Sequence, residues 1–485
     1  MSFRSVLKGI NPDRPLIELD ENTTITSANL LKSLKKAKRN LEALGIEKII
    51  IGHEANFENL YCFILALYTG TNIKLVSDIQ NGSYPLDDQL KKIIQKNTKD
   101  LCVDVSNVNE SFKLSLEYLS DDKEMLDSIE IELTTSGSSG KPKTILLDES
   151  DLIYQAETVS KVLNLNPNTR QLFYMPINYI YGLSIITTSI LSNSCLVIPK
   201  NKLSSSKMFF NEIVERKITV FSGVPYTYNI LAKWGAEKLK KSSLVSLTQA
   251  GGRLRLETKK KIHSLIGNIE FWVMYGQTEF GGRISQYKIG NNKIDEYCVG
   301  KPLEGIDIHI EFEENEEELG EIFINSPSSC KNIDEFVRTV EINGNKYYST
   351  GDIGKLKDKL LYVSDRNKNF IKIGGSRISN VSIQNFFRDH KFIQESFICL
   401  SHGKSEKILI GVLSDKLLKI ETQWELSEIL DKNSELPKIL ENKPFEIFLL
   451  HGPLPLLDNG KTCIWKIFEI MREASIEKKS LHIWL

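Results

Sequence analysis

The chain has little that would mark a covalent framework, a metal centre or a membrane segment. Its 7 cysteines fall singly at 62, 102, 195, 298, 330, 399 and 463, with no Cys-x-x-Cys among them. An odd, unpaired set excludes a disulfide scaffold and a zinc ribbon and fits a reducing compartment. The 7 histidines are equally dispersed, so no imidazole metal site is expected. No run of eighteen apolar residues occurs, and Met1-Ser2-Phe3-Arg4-Ser5 lacks the charged-then-apolar pattern of a signal peptide. The expectation is a cytoplasmic protein with no membrane span. Neither sign of charge dominates: 62 Lys and Arg stand against 63 Asp and Glu, a net charge of −1. That balance creates no long-range field to favour nucleic acid or an anionic membrane as partner. Internal repeats and low-complexity tracts are missing as well.

What remains is a chain of 485 residues, 41% hydrophobic and 26% charged, ordinary for a globular protein and too long for one core. Strand-like runs such as Lys48-Ile49-Ile50-Ile51-Gly52, Cys195-Leu196-Val197-Ile198-Pro199 and Ile218-Thr219-Val220-Phe221-Ser222 alternate with amphipathic segments such as Ala28 to Leu44. This alternation predicts α/β layers. From about Asp307 the strands shorten, at 308–310, 321–324 and 346–348, around the acidic run Glu311 to Glu318, read as a solvated hairpin region. A boundary is expected near Asp365-Arg366-Asn367-Lys368, followed by a tail large enough to form its own small domain.

One stretch stands out chemically. Thr134-Thr135-Ser136-Gly137-Ser138-Ser139-Gly140-Lys141-Pro142-Lys143 crowds hydroxyls, glycines and lysines together. Hydroxyls and glycine-freed backbone N–H groups can wrap an anion that lysine neutralises, so the composition suits phosphate. The spacing is not that of a Walker loop. Ser/Gly-rich runs taken alone are usually flexible linkers.

The order Thr-Ser-Gly-Ser-Ser-Gly-Lys-Pro-Lys resembles the signature of the AMP-forming, acyl-adenylating enzymes: acyl-CoA synthetases, nonribosomal adenylation domains and luciferases. Further segments follow in that family's order. Tyr275-Gly276-Gln277-Thr278-Glu279 resembles its aromatic-Gly-x-Thr-Glu motif, which implies that Tyr275 stacks on adenine, Thr278 contacts the α-phosphate and Glu279 holds Mg²⁺. A hard cation of this kind takes one or two carboxylates plus phosphates. Ser349-Thr350-Gly351-Asp352 resembles the Thr-Gly-Asp motif, whose aspartate accepts from both ribose hydroxyls. Arg366 matches an arginine that contacts ribose or phosphate, and Lys368 falls at the hinge position. Ile371 to Ser379 resembles a loop in which Gly375 lets backbone approach the thiol arm. In Pro455-Leu456-Leu457-Asp458-Asn459-Gly460-Lys461, Lys461 matches the catalytic lysine that bridges the substrate carboxylate and the α-phosphate. Gly251 and Gly252 match a glycine pair near the nucleotide. Tyr179, Tyr181, Gly182, Val224, Tyr228 and Trp272 lie in segments that line the family's acyl pocket, although core packing explains such aromatics equally well.

The resemblance spans nearly the whole chain and is nearest in character to stand-alone acyl-CoA or acyl-carrier-protein ligases. It implies an α/β fold with a large multi-subdomain N-terminal domain, residues 1–365, holding the nucleotide and acyl sites. That domain would combine parallel-type sheets and helices with a small β-barrel-like part. A small mobile α+β C-terminal domain, residues 366–485, would carry the catalytic lysine. The implied reaction joins ATP·Mg²⁺ and a carboxylic acid into acyl-AMP, releasing pyrophosphate, and then transfers the acyl group to a phosphopantetheine thiol. No carrier segment follows within the 485 residues, so the thiol is expected in trans from CoA or a free acyl carrier protein.

Three departures bear on this reading. Tyr179 stands where the family commonly has histidine, Leu457 replaces the threonine of the lysine loop, and no acid occurs between Phe173 and Ser184. Amino-acid-activating relatives place an aspartate in that last region, because a buried ammonium without a partner is very costly. An ordinary α-amino acid is therefore disfavoured, while a β-amino acid whose ammonium pairs elsewhere stays open. The rival readings are a stand-alone amino-acid-adenylating enzyme that loads a peptidyl carrier, and a non-catalytic acyl- or nucleotide-binding protein on the same fold.

Overall fold

The computed structural model describes residues 1–42, 46–76, 114–118, 128–135, 143–234, 236–290, 294–312, 319–366, 370–373, 376–388, 393–401, 407–414, 436–440, 443–452, 454–455, 464–477 and 482–484. Two compact units emerge: Met1–Thr350 with Gly354–Val363, and Gly351–Ile353 with Ser364–Leu485.

The largest sheet is built on parallel strands, Glu270–Tyr275, Ser246–Gln249, Val220–Gly223, Arg170–Leu172, Cys195–Val197 and Pro15–Glu18, adjacent in that order. Val220–Gly223 and Ser246–Gln249 are buried along their whole length, the burial expected where helices cover both faces of a parallel sheet. Beyond Glu270–Tyr275 the order turns antiparallel through Ser285–Lys288 and Cys298–Pro302, then runs on through Leu360–Arg366, Asn345–Lys357, Gly320–Asn325 and Asp307–Glu311. The last two strands pair antiparallel on either side of the acidic run, the hairpin the sequence predicts.

A five-stranded sheet has the order Leu114–Tyr118, Ile46–Ile51, Asn72–Leu75, Glu130–Thr135, Lys143–Asp148. The helix Phe57–Thr69 packs beside it, starting where the Asn56 side chain accepts from Asn59 N and ending at the left-handed Gly70. The helix Ile180–Ser192 is apolar nearly all round and buried through most of its length, as befits a core helix. In the second unit the strands Ile393–Leu400, Ile408–Ser414, Phe445–His451 and His482–Trp484 form one sheet packed against the helices Asn380–Arg388 and Ile464–Glu477.

The helix Glu149–Val162 begins with a capping box in which Asp148 N donates to Asp151 Oδ2 at 2.8 Å. Burial raises the Asp151 carboxyl to about 6, against hydrogen bonds from the Asp148 and Ser329 backbone N–H groups. A carboxyl raised in the folded state adds stability that is complete below its unfolded value of 3.8 and is lost as pH rises through about 6. The difference corresponds to about 3 kcal/mol. Asp151→Asn keeps the oxygen acceptor without the charge, so its melting temperature is expected to exceed that of wild type by a few degrees at pH 8. The gain should vanish below pH 4; an equal difference at both pH values would remove the Asp151 assignment.

Candidate active site

The strand Glu270–Tyr275 delivers Tyr275 to its C-terminal end, and a single 3₁₀ turn, Thr278–Phe280, follows. The chain then doubles back on itself. Gly282 N donates to Gln277 O at 3.0 Å and Ile284 N to Tyr275 O at 2.8 Å. The approach is so close that a Cβ at Gly276 would lie 1.6 Å from Gly282 O and 2.8 Å from Arg283 Cα. Only glycine fits there. Thr278 and Glu279 thus sit on a turn fixed by main-chain bonds on both sides, and Cys330 N donates to Glu279 O at 2.8 Å. From the same motif Gln277 Nε2 donates to Thr350 O at 2.8 Å, two residues before Asp352 in the chain. Asp352 itself is buried on the strand Asn345–Lys357, 3% exposed.

The predicted acyl-pocket residues differ in their surroundings, although the Tyr179 and Tyr181 rings meet edge to face at 6.3 Å. Tyr179 ends its segment at the N-cap of the helix Ile180–Ser192, with Tyr181 and Gly182 in the first turn. The Tyr179 hydroxyl reaches Gly251, where a Cβ would lie 2.0 Å from that oxygen and 3.4 Å from Val224 Cγ1. Tyr179, Val224 and Gly251 are therefore neighbours, and a Cβ at Gly252 would lie 3.3 Å from Cγ of Pro225, at the start of the helix Pro225–Trp234. Tyr181 and Tyr228 both donate to Thr248 O at 2.8 Å and are fully buried. Tyr228 stands within the aromatic cluster of Phe209, Phe210, Phe221 and Phe271, as a packing residue does. Trp272 is partly buried against the core that holds Tyr181 and Val224, its indole N–H donating to Glu270 at 3.0 Å with the Lys288 ammonium 5.6 Å from its ring.

Of the phosphate-loop residues, Thr134, Thr135 and Lys143 are placed. Thr135 lies opposite Lys143 in an antiparallel ladder, and the Lys143 ammonium is 5.0 Å from the Phe336 ring centre. Ser136, Gly137, Ser138 and Ser139 lie outside the described residues, as do Lys368, Gly375 and Lys461. Arg366 closes the strand Leu360–Arg366.

Sequence reasoning missed two residues. Gln155, 3% exposed, clamps the turn after the nucleotide motif: its Nε2 donates to Phe280 O at 3.1 Å and Arg283 O at 3.0 Å, while Arg283 N donates to its Oε1 at 2.9 Å. Nothing local marks a helical glutamine for this task, since its partners are more than a hundred residues away. The other is Arg283, 5% exposed, with its guanidinium carbon 4.1 Å from the Tyr181 ring centre. Burial pulls its pKa down against the opposing pull of Tyr181 and Tyr179, and burial raises Tyr179 to about 12. The available signal was a lone cation in the otherwise uncharged run Phe280 to Ser285.

The turn that carries Thr278 and Glu279 has the donor and acceptor types that a magnesium nucleotide needs. Among the described residues no group of three or more His, Cys, Asp or Glu could hold a metal ion. Glu279 alone suits a hard cation that shares its coordination with phosphate oxygens. The buried, acceptor-only Asp352 suits a diol.

A glycine-tightened turn at the end of a parallel strand carries Thr278 and Glu279. Residues 83–332 match the AMP-binding enzyme family, and the chain belongs to it. A 2-succinylbenzoate–CoA ligase of Oceanobacillus iheyensis is 24% identical, the alignment covering 90% of this chain and 95% of that protein. A D-alanine–D-alanyl carrier protein ligase of Listeria monocytogenes is 25% identical over 67% of each. In fold, the chain matches O-succinylbenzoate coenzyme A synthetase from Bacillus subtilis, solved with ATP and magnesium ion, at a TM-score of 0.70 and 19% identity, covering 96% of this chain and 99% of that one. Among the described residues no helix is long and apolar enough to cross a membrane.

Proposed function

We propose that the chain is an ATP-dependent carboxylate–thiol ligase. The observation that carries this reading is the main-chain-locked turn that presents Thr278 and Glu279 at the end of the Tyr275 strand. Tyr275 stacks on adenine, Asp352 accepts from the ribose hydroxyls, and Thr278 donates to the α-phosphate. Glu279 holds Mg²⁺, which supplies neutralisation of phosphate charge when bound. The substrate carboxylate attacks the α-phosphorus and pyrophosphate leaves, giving acyl-AMP as a mixed anhydride. A thiolate then attacks the acyl carbon and AMP departs, so no covalent enzyme intermediate is needed.

Lys461 stabilises the charge that grows on the phosphoryl oxygens. Residues 1–365 form the domain for nucleotide and acid, and 366–485 the mobile domain, with Lys368 as the hinge and Gly375 beside the thiol arm. CoA is the acceptor that the CoA-ligase relatives favour, and the carrier-protein ligase relative keeps a free carrier as the second candidate. An α-amino acid is disfavoured: its ammonium would find no acid between Phe173 and Ser184 and would face the like charge of Arg283.

The test is ATP–pyrophosphate exchange over fatty, aryl, hydroxy, dicarboxylic and amino acids, followed by thioester analysis with CoA and with phosphopantetheinylated carriers. Exchange that depends on added carboxylic acid is expected, with amino acids the poorest class. Failure of every acid would exclude the ligase reading.

A further inference from the structure

Arg283 belongs to no motif of the nucleotide site, yet its charge is almost wholly removed from water. Its guanidinium rests on the face of Tyr181, and its Nε has no hydrogen-bond partner. Among the described residues no Asp or Glu forms an ion pair with it, and the groups that act on its charge are the phenols of Tyr181 and Tyr179. A guanidinium offers five N–H donors and no acceptor. The Tyr181 ring and hydroxyl leave the Nε–H donor without a partner, and no carboxylate among the described residues balances the charge. A buried cation in this condition is destabilising unless an anion meets it.

Its position indicates which anion. The Arg283 main chain backs directly onto Gly276, and Gln155 fixes it through two hydrogen bonds. The side chain turns to Tyr181, in the first turn of a helix whose N-cap, Tyr179, touches Gly251. The cation therefore lies between the nucleotide motif and the residues assigned to the acid, on the side of the acid. The phosphates already have Thr278, Lys143 and Lys461 assigned to them.

We propose that Arg283 is a specificity-determining residue that pairs with a second carboxylate on the acid substrate, so that dicarboxylic acids are the substrate class. The inference rests on the ligase reading above. A carboxylate matches the guanidinium fork with two parallel N–H···O bonds, and the low-polarity surroundings strengthen that pair. A substrate with a neutral group in the same place would leave the buried guanidinium unpaired, which is what makes the discrimination large.

The experiment measures acid-dependent ATP–pyrophosphate exchange for pairs of acids of equal length, a diacid and its monoamide, with wild type, Arg283→Gln and Arg283→Lys. Thermal midpoints of the variants are recorded alongside. Wild type is expected to favour the diacid by about 10²-fold in kcat/KM. In Arg283→Gln the diacid rate should fall by about that factor and the diacid-to-monoamide ratio should approach one. Arg283→Lys, which keeps a charge but not the fork, should retain part of the preference.

Equal turnover of diacid and monoamide by wild type overturns the proposal and needs no variant to do so. A folded Arg283→Gln that slows both acids by the same factor also overturns it, since that is the result expected if the guanidinium serves the reacting carboxylate or the core. Exchange confined to monocarboxylic acids removes this inference and leaves the ligase reading standing, whereas no exchange with any acid removes both.

Discussion

Lys461→Ala is expected to lower ATP–pyrophosphate exchange by about 10³-fold while thioester formation from supplied acyl-AMP survives. During adenylation, negative charge accumulates on the oxygens around the α-phosphorus as the carboxylate adds and pyrophosphate withdraws. A cation placed there acts mainly on the transition state, so its removal appears in kcat more than in KM for ATP. The second half-reaction begins after pyrophosphate has gone, and its leaving group, AMP, has no further need of that cation. Exchange measured with saturating acid, beside thiolysis of synthetic acyl-AMP by CoA, separates the two. Equal loss in both would show that Lys461 supports the second domain as a whole. The expectation rests on Asp458-Asn459-Gly460-Lys461 in the sequence, where Leu457 already departs from the family's threonine.

Gly276→Ala should be nearly as damaging, for a steric reason. The added methyl would lie 1.6 Å from Gly282 O and 2.8 Å from Arg283 Cα, both main-chain atoms that cannot swing aside as a flexible side chain can. Either the turn moves or the two strands part. An increase of about 2 Å in that separation displaces Thr278, Glu279 and Arg283 together, and a misplacement of about 1 Å already costs about 10²-fold in rate. Exchange is expected to drop by at least that factor, with a loss of about 3 kcal/mol in stability from overpacking. Denaturant titration beside the exchange assay checks both. Near-normal values in either would mean that the turn is looser than its hydrogen bonds indicate.

Much of this arrangement was legible in the sequence because its signals are local. The alternation of Ile- and Val-rich runs with amphipathic segments indicated α/β layers, and the strands at 46–51, 195–197 and 220–223 overlap the runs that predicted them. The Tyr275 motif lies at a strand end followed by a tight turn, as a glycine flanked by an aromatic and two polar residues suggests. The grouping of the aromatics was not legible. Tyr179, Tyr181 and Tyr228 read alike in the chain, yet Tyr179 reaches the glycine pair, Tyr181 bears a guanidinium, and Tyr228 packs among phenylalanines. Which face an aromatic presents depends on the strands packed against it, and that information is spread over hundreds of residues.

The sequence by itself determined the family and the order of the motifs, because each motif is a short run of particular residue types at fixed spacing. Only the tertiary structure decided what surrounds those motifs. Gln155 grips the turn 128 residues further along the chain at Arg283, and Arg283 meets Tyr181 from that turn, about a hundred residues later in the chain. A buried charge becomes visible only when every neighbour that could have paired with it is in place, and no local pattern carries that information.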